Sequence, residues 1–160
     1  MIEAYLILAN RIRGEMDDLE NLIERARRAM DASGKKPQDK DFFIDSAALN
    51  LHDFYVGIER LFRLIASTVD GDVPAGDEWH RDLLRQMNID LPELRPQVIS
   101  KETMIALDEY LRFRHVVRNV YTFTLKLEPI KRLVNQSQTV FIQVRDELLI
   151  FADFLEQVGS

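Results

Sequence analysis

From Tyr5 onward the apolar residues return every seven positions in two interleaved series, Tyr5, Ile12, Leu19 and Ala26 beside Ala9, Met16, Ile23 and Met30. On a helix of about 3.6 residues per turn these series merge into one wide apolar stripe, which predicts an amphipathic helix with one face in a core. The device recurs twice. Ile44, Leu51, Ile58 and Ile65 run beside Ala47, Phe54 and Leu61, with Phe62 and Val69 widening the stripe, and Val134, Phe141, Leu148 and Leu155 run beside Val144, Phe151 and Val158. No segment alternates apolar and polar residues over strand length, so the chain supplies nothing from which to build a sheet.

Glycine and proline are scarce, six and five in 160 residues, and they cluster. They mark breaks at Ala32 to Gln38, Gly71 to Gly76 and Asn88 to Ile99, with a corner at Glu128-Pro129, where proline disfavours helix in the residue before it and suits the first turn of the helix after it. Ser100 is a good N-cap for a helix running to Leu127, with Glu102 in its first turn and Phe113, Val117, Val120, Phe123 and Leu127 along its core stripe. A shorter helix, Asp77 to Met87, is expected to pack Trp79, Leu83 and Met87 across the bundle. Four long helices and one short one, with no repeat of solenoid length, predict an all-α fold: an antiparallel four-helix bundle forming one domain over residues 1–160.

Composition narrows the function. With no cysteine there is no thiolate metal site and no disulfide, which is compatible with a reducing cytosol. Residues 1–13 do not read as a secretion signal, and no apolar run approaches the ~20 residues of a membrane span, so a soluble, cytoplasmic protein without membrane contact is expected. The net charge of −6 repels nucleic acid at long range, yet Arg112, Arg114, Arg118, Lys126, Lys131 and Arg132 face the single acid Glu128 in one stretch. There is no glycine-rich phosphate loop, no His-Glu-x-x-His, no Glu-x-x-His and no Gly-x-Ser-x-Gly. His52, His80 and His115 fall on three different predicted helices, so neither a metal nor a cofactor is expected.

The string Arg112-Phe113-Arg114-His115-Val116-Val117-Arg118-Asn119-Val120-Tyr121 carries the most chemistry. At about 100° per residue Arg114, Arg118 and Tyr121 share one face of the helix that starts at Ser100, and His115 and Asn119 share the neighbouring face one turn apart. Such a string is read either as a solvated basic face or as a site for anions. Elsewhere, Gly57 inside a helix suggests close helix approach, and Glu59 is either an arginine-orienting carboxylate on the facing helix or a surface acid. Trp79-His80 reads as an anchor for the short helix; Tyr5, Tyr55, Met16 and Met30 read as packing.

The string resembles the motif of HEPN domains, and more closely that of the HepT-like ribonuclease toxins: an arginine, four to six residues, a histidine, then x-Tyr. Here it reads Arg114, four residues, Asn119, Val120, Tyr121, with His115 as the polar residue that often follows the arginine. Leu51-His52-Asp53-Phe54-Tyr55 with Gly57-Ile58-Glu59, Glu78-Trp79-His80, Arg95-Pro96 and Phe113-Arg114-His115 extend the resemblance over roughly residues 40 to 125. It implies a homodimeric, metal-independent endoribonuclease of a toxin–antitoxin pair. In this reading Arg114 stabilises charge on the scissile phosphate, Arg118 and Arg112 bind RNA phosphates, Glu59 supports the site, and a nucleotidyltransferase antitoxin adds AMP to Tyr121. Asparagine at 119 departs from the motif, because it binds phosphate but carries no proton near neutral pH. Either His115, one turn earlier, carries the proton, or the chain is a HEPN module that binds a nucleotidyltransferase or a nucleotide without cutting RNA. Without the resemblance, the basic face would suit a helical adaptor that docks acidic protein surface.

Overall fold

Each of the long apolar stripes folds as the helix its spacing predicts. The computed structural model describes residues 2–118 and 126–160, with residues 115–118 described by their backbone alone. The helices are α1 (Ile2–Lys35), α2 (Lys40–Ile65), α3 (Trp79–Asn88), α4 (Lys101–Arg118) and α5 (Leu127–Gly159). No strand is present among the described residues, and Leu91 and Arg95 form an isolated bridge. α1 packs against α2 and α5, and α4 closes the bundle against those same two helices, while α3 lies across α2 and α4. Arg25 meets Asn50 across α1 and α2, Arg13 meets Asp153 across α1 and α5, and Tyr110 bonds the Leu133 carbonyl across α4 and α5. The first two pairs, with Leu19 at Gly57 and Gly159 beside Ile2, make α1 antiparallel to both neighbours.

Every stripe residue named for the first two segments is buried, and Phe54 sits edge-on to both Tyr110 and Phe141 at the centre. A Cβ on Gly57 would stand 2.8 Å from Leu19 Cδ2, so the missing side chain is what lets α1 and α2 approach here. Two parts of the core differ from expectation. Val158 is 51% exposed, because the buried face of α5 passes through Leu155 and Gly159 in the last turn and leaves Val158 beside it. Leu107, Tyr110 and Leu111 bury a full turn of α4 ahead of Phe113, where the periodicity shows less because Arg112 and Asp108 interleave with them. Val120 and Phe123, also assigned to this stripe, lie outside the described residues.

The boundaries sharpen the same way. α1 runs through Gly34 to Lys35, and Ser33 returns its hydroxyl to the Met30 carbonyl. The break is then imposed by Pro37, before which Lys36 is extended at φ −128°, ψ 77°. α2 continues as a π-helical turn, Ala66–Asp70, closed by Gly71 in the left-handed region at φ 72°. α3 starts at Trp79, two residues later than expected, and buries Leu83 and Met87 while Trp79 stays half-buried under the Arg63 guanidinium. Ser100 caps α4 by accepting the Thr103 N–H, and Glu147 of α5 accepts from the Ser100 N–H and hydroxyl and from the Thr103 hydroxyl. Glu128 is helical, contrary to the corner expected before Pro129: α5 begins at Leu127, so Pro129 sits in the first turn, where its missing N–H has no intrahelical partner to lose.

The connection on either side of α3 is organised by one arginine. Arg95 donates from Nε and Nη2 to the two carboxylate oxygens of Asp70, from Nη2 to Gln86 O, and from Nη1 to Ile89 O and Pro96 O. All five donors of the guanidinium are used, and its side chain is fully buried.

Removing Arg95 would strand Asp70 in the interior. Arg95→Ala is expected to lower unfolding free energy by about 3–5 kcal/mol in urea denaturation followed by circular dichroism. Arg112→Ala, at a surface ion pair, should leave the midpoint nearly unmoved. Burial, with Glu59 adding to it and Arg114 opposing it, pushes the Tyr55 phenol above its ordinary pKa. The unfolded chain therefore releases that proton first, so Tyr55 stabilises the fold below about pH 10 and loses this contribution as pH rises further. Between about pH 9.5 and about pH 11.5 the denaturation midpoint of Tyr55→Phe should fall less steeply than that of wild type.

Candidate active site

The face of α4 that turns toward α2 and α3 places Arg114 beside two residues distant in sequence. Glu59, in the last two turns of α2, is buried, and its Oε1 lies 3.8 Å from Arg114 Nη2. His80, in the first turn of α3, is buried too, with Nδ1 2.7 Å from Glu59 Oε2. Arg114 Nη1 is 3.0 Å from both ring nitrogens of His80. An atom in the imidazole plane at equal distance from both would overlap Cε1, so the guanidinium lies over the ring face. Trp79 packs on the same imidazole with ring centroids 3.5 Å apart, and because one face has no room for both groups, the ring is held between indole and guanidinium.

The carboxylate organises this cluster. With Glu59 accepting from Nδ1–H, the imidazole in its neutral form has its lone pair on Nε2. The same carboxylate balances the Arg114 charge in a region where isolated ionic groups are costly. At 3.8 Å, however, it is beyond hydrogen-bond range, and Arg114 Nε is buried with no partner. Arg114 thus differs from Arg95: one guanidinium commits every donor to the fold, and the other keeps donors for a further acceptor. Planar, forked N–H groups of this kind suit a phosphate or carboxylate. Tyr55 completes the surroundings, its phenol kept protonated by burial first and by the Glu59 charge second.

Among the remaining sequence-derived candidates, the side chain of Arg112 is described. Arg112 points to the surface, where it donates to Asp108 at 2.6 and 2.9 Å, and this contact raises its pKa. His115 and Arg118 are on the last turn of α4 and are described by backbone only; Asn119 and Tyr121 lie outside the described residues. Glu59 has the position from which a carboxylate orients an arginine. His80 reads from sequence as a helix anchor, and no spacing rule joins it to Arg114, 34 residues away. The only signal for it is its place, next to Trp79, among the strings that carry the family resemblance. His52 is apart from this cluster, paired with its neighbour Asp53. Among the described residues no group of three or more His, Asp or Glu side chains is arranged to hold a metal ion, and no helix is long and apolar enough to cross a membrane.

No curated protein matches the sequence, and no solved structure does. A family model described as HepT-like protein matches residues 46–155, which takes in Glu59, His80, Arg95 and Arg114 together with α3, α4 and most of α2. With well over half of its length inside that model, the chain belongs to the HepT-like family.

Proposed function

We propose that this HepT-like protein is a metal-independent endoribonuclease centred on Arg114, acting as the toxin of a toxin–antitoxin pair. The observation that carries the reading is the partly buried Arg114 guanidinium, with a buried, unpartnered Nε and an imidazole against Nη1. An unsatisfied buried donor costs stability, and a position that bears this cost beside a titratable ring is a candidate for chemistry. In the proposed reaction the 2′-hydroxyl attacks the neighbouring phosphorus and its proton passes to a base. The bond to the 5′ oxygen breaks, that oxygen takes up a proton, and a 2′,3′-cyclic phosphate remains. Arg114 stabilises the charge gathering on the non-bridging oxygens. Asn119 supplies a hydrogen bond and no proton, so the proton carrier is a histidine from another position. His80 is the described imidazole beside Arg114, and Glu59 holds it in one tautomer; His115 is the alternative carrier on α4.

The family resemblance adds a homodimer and a cytoplasmic nucleotidyltransferase antitoxin that places AMP on Tyr121. An adenylyl phosphate there would compete for the cationic donors that an RNA phosphate needs. The second reading, a module that binds such a partner without cutting RNA, is favoured by Asn119 alone.

Cleavage of RNA by purified protein in the presence of a chelator tests the first reading. Arg114→Ala is expected to lose about 10²–10³ in rate and the variant lacking the true carrier about 10²–10⁴, with helicity retained. If His80 is the carrier, His80→Ala also removes one limb of the pH–rate profile, which a packing defect would not do, and His115→Ala keeps it. A wild-type protein that is silent while Asn119→His cuts RNA would overturn the nuclease reading in favour of the binding module. Co-expression with a nucleotidyltransferase encoded beside the chain should raise the intact mass by one adenylyl group, and Tyr121→Phe should abolish the increase.

A further inference from the structure

Beside the Arg114 cluster, α3 and α4 run antiparallel, with His80 meeting Arg114 and Arg81 meeting Asp108. The space between them opens into a groove of about 530 Å³. Arg81 and Arg85, one turn apart on α3, form one wall; Ile105, Asp108 and Arg112, at successive turns of α4, form the other, with Met104 between them. Three guanidiniums face one carboxylate in a chain whose net charge is −6. Asp108 bridges the walls, 2.6 Å from Arg112 Nη2 and 4.0 Å from Arg81 Nη2. Leu84 and Met104 add apolar lining, and Ile105 is 57% exposed at the side.

We infer that this groove is the track for single-stranded RNA on one side of the scissile phosphate, with Arg81, Arg85 and Arg112 on the phosphates and Met104 and Ile105 under a base. The inference rests on the nuclease reading of Arg114 and extends it to a binding subsite on α3. Two features favour a single strand over an acidic protein surface. Cationic walls combined with apolar lining match a polymer with charged links and flat apolar faces. Arg81 of the groove directly follows His80 of the Arg114 cluster in sequence, so both involve the N-terminal turn of α3. Asp108 limits the affinity: it holds two of the three guanidiniums and adds a charge that phosphate meets unfavourably.

The test is binding of a fluorescent 2′-O-methyl RNA oligonucleotide, which lacks the attacking hydroxyl, across a range of salt concentrations. Arg81→Ala/Arg85→Ala should bind at least tenfold more weakly, and its log–log salt slope should shrink by roughly 0.7 for each phosphate that the variant no longer neutralises. Asp108→Asn should bind severalfold more tightly, an effect in the opposite direction that a folding defect does not produce. For cleavage, the double variant should raise KM on a long RNA with little change in kcat and leave a dinucleotide substrate unaffected. Equal RNA binding by wild type, the double variant and Asp108→Asn would overturn the track while leaving Arg114 chemistry intact. Loss of nucleotidyltransferase binding in the double variant, with RNA affinity unchanged, would overturn it in favour of a protein surface. No RNA binding or cleavage by wild type would remove both the track and the nuclease reading.

Discussion

The pair of Asp70 and Arg95 fixes α3, the short helix that brings His80 to Glu59 and Arg114. A ten-residue helix such as α3 is too short to be stable alone and must be held by its surroundings. Arg95 grips it at its C-terminal end, where carbonyls lack helical partners, bonding Gln86 O and Ile89 O while Asp70 anchors the guanidinium to the end of α2. Gln86 returns its side-chain amide to Asp70 Oδ2 and Asp72 O, so both connections flanking α3 meet at one charge pair. At the opposite end of α3, His80 reaches Glu59 and Arg114. The buried ion pair at one end of α3 therefore helps to place the helix whose other end presents His80, and Glu59 then orients the imidazole.

Two arginines, one buried and one partly buried, show how the same side chain divides between structure and chemistry. Arg95 has a bidentate carboxylate and three carbonyls, and nothing further to offer a ligand. Arg114 has a carboxylate at 3.8 Å, an imidazole face and an unpaired Nε. Desolvation weighs on both, but only the first recovers it through full hydrogen bonding. A guanidinium left in the second condition becomes better satisfied when an oxyanion arrives, so part of the strength of that interaction is present in the resting protein as an unmet donor.

Period and punctuation make most of the fold readable, because helix stripes depend on local spacing: the α1 and α2 stripes, the Ser100 cap and the three breaks follow from neighbours within a few turns. The site is readable only by halves. Arg114 lies on a dense polar string, whereas Glu59 and His80 join it through tertiary packing, which spacing does not encode. The strings that carry the family resemblance are more informative together than any one of them is singly. Phe54 and Tyr55 fill the core, Gly57 sets the α1–α2 approach, Arg95 locks the connections, and Glu59, His80 and Arg114 converge. The α4 core residues Leu107, Tyr110 and Leu111 escape a reading by period because acids and an arginine are placed between them.

Electrostatics then governs what such a site meets. A chain of net charge −6 repels a polyanion, but salt screens that repulsion beyond about 10 Å, so at short range local charge decides and a cationic strip attracts an anion there. The net repulsion disfavours indiscriminate coating of the surface, and the few guanidiniums exposed between α3 and α4 are the local exception. Because Asp108 and Glu59 each neutralise arginines next to that path, the positive charge available to a phosphate is set by two carboxylates as much as by the arginines themselves. An acidic protein can in this way hold a local anion site without becoming a general nucleic-acid binder.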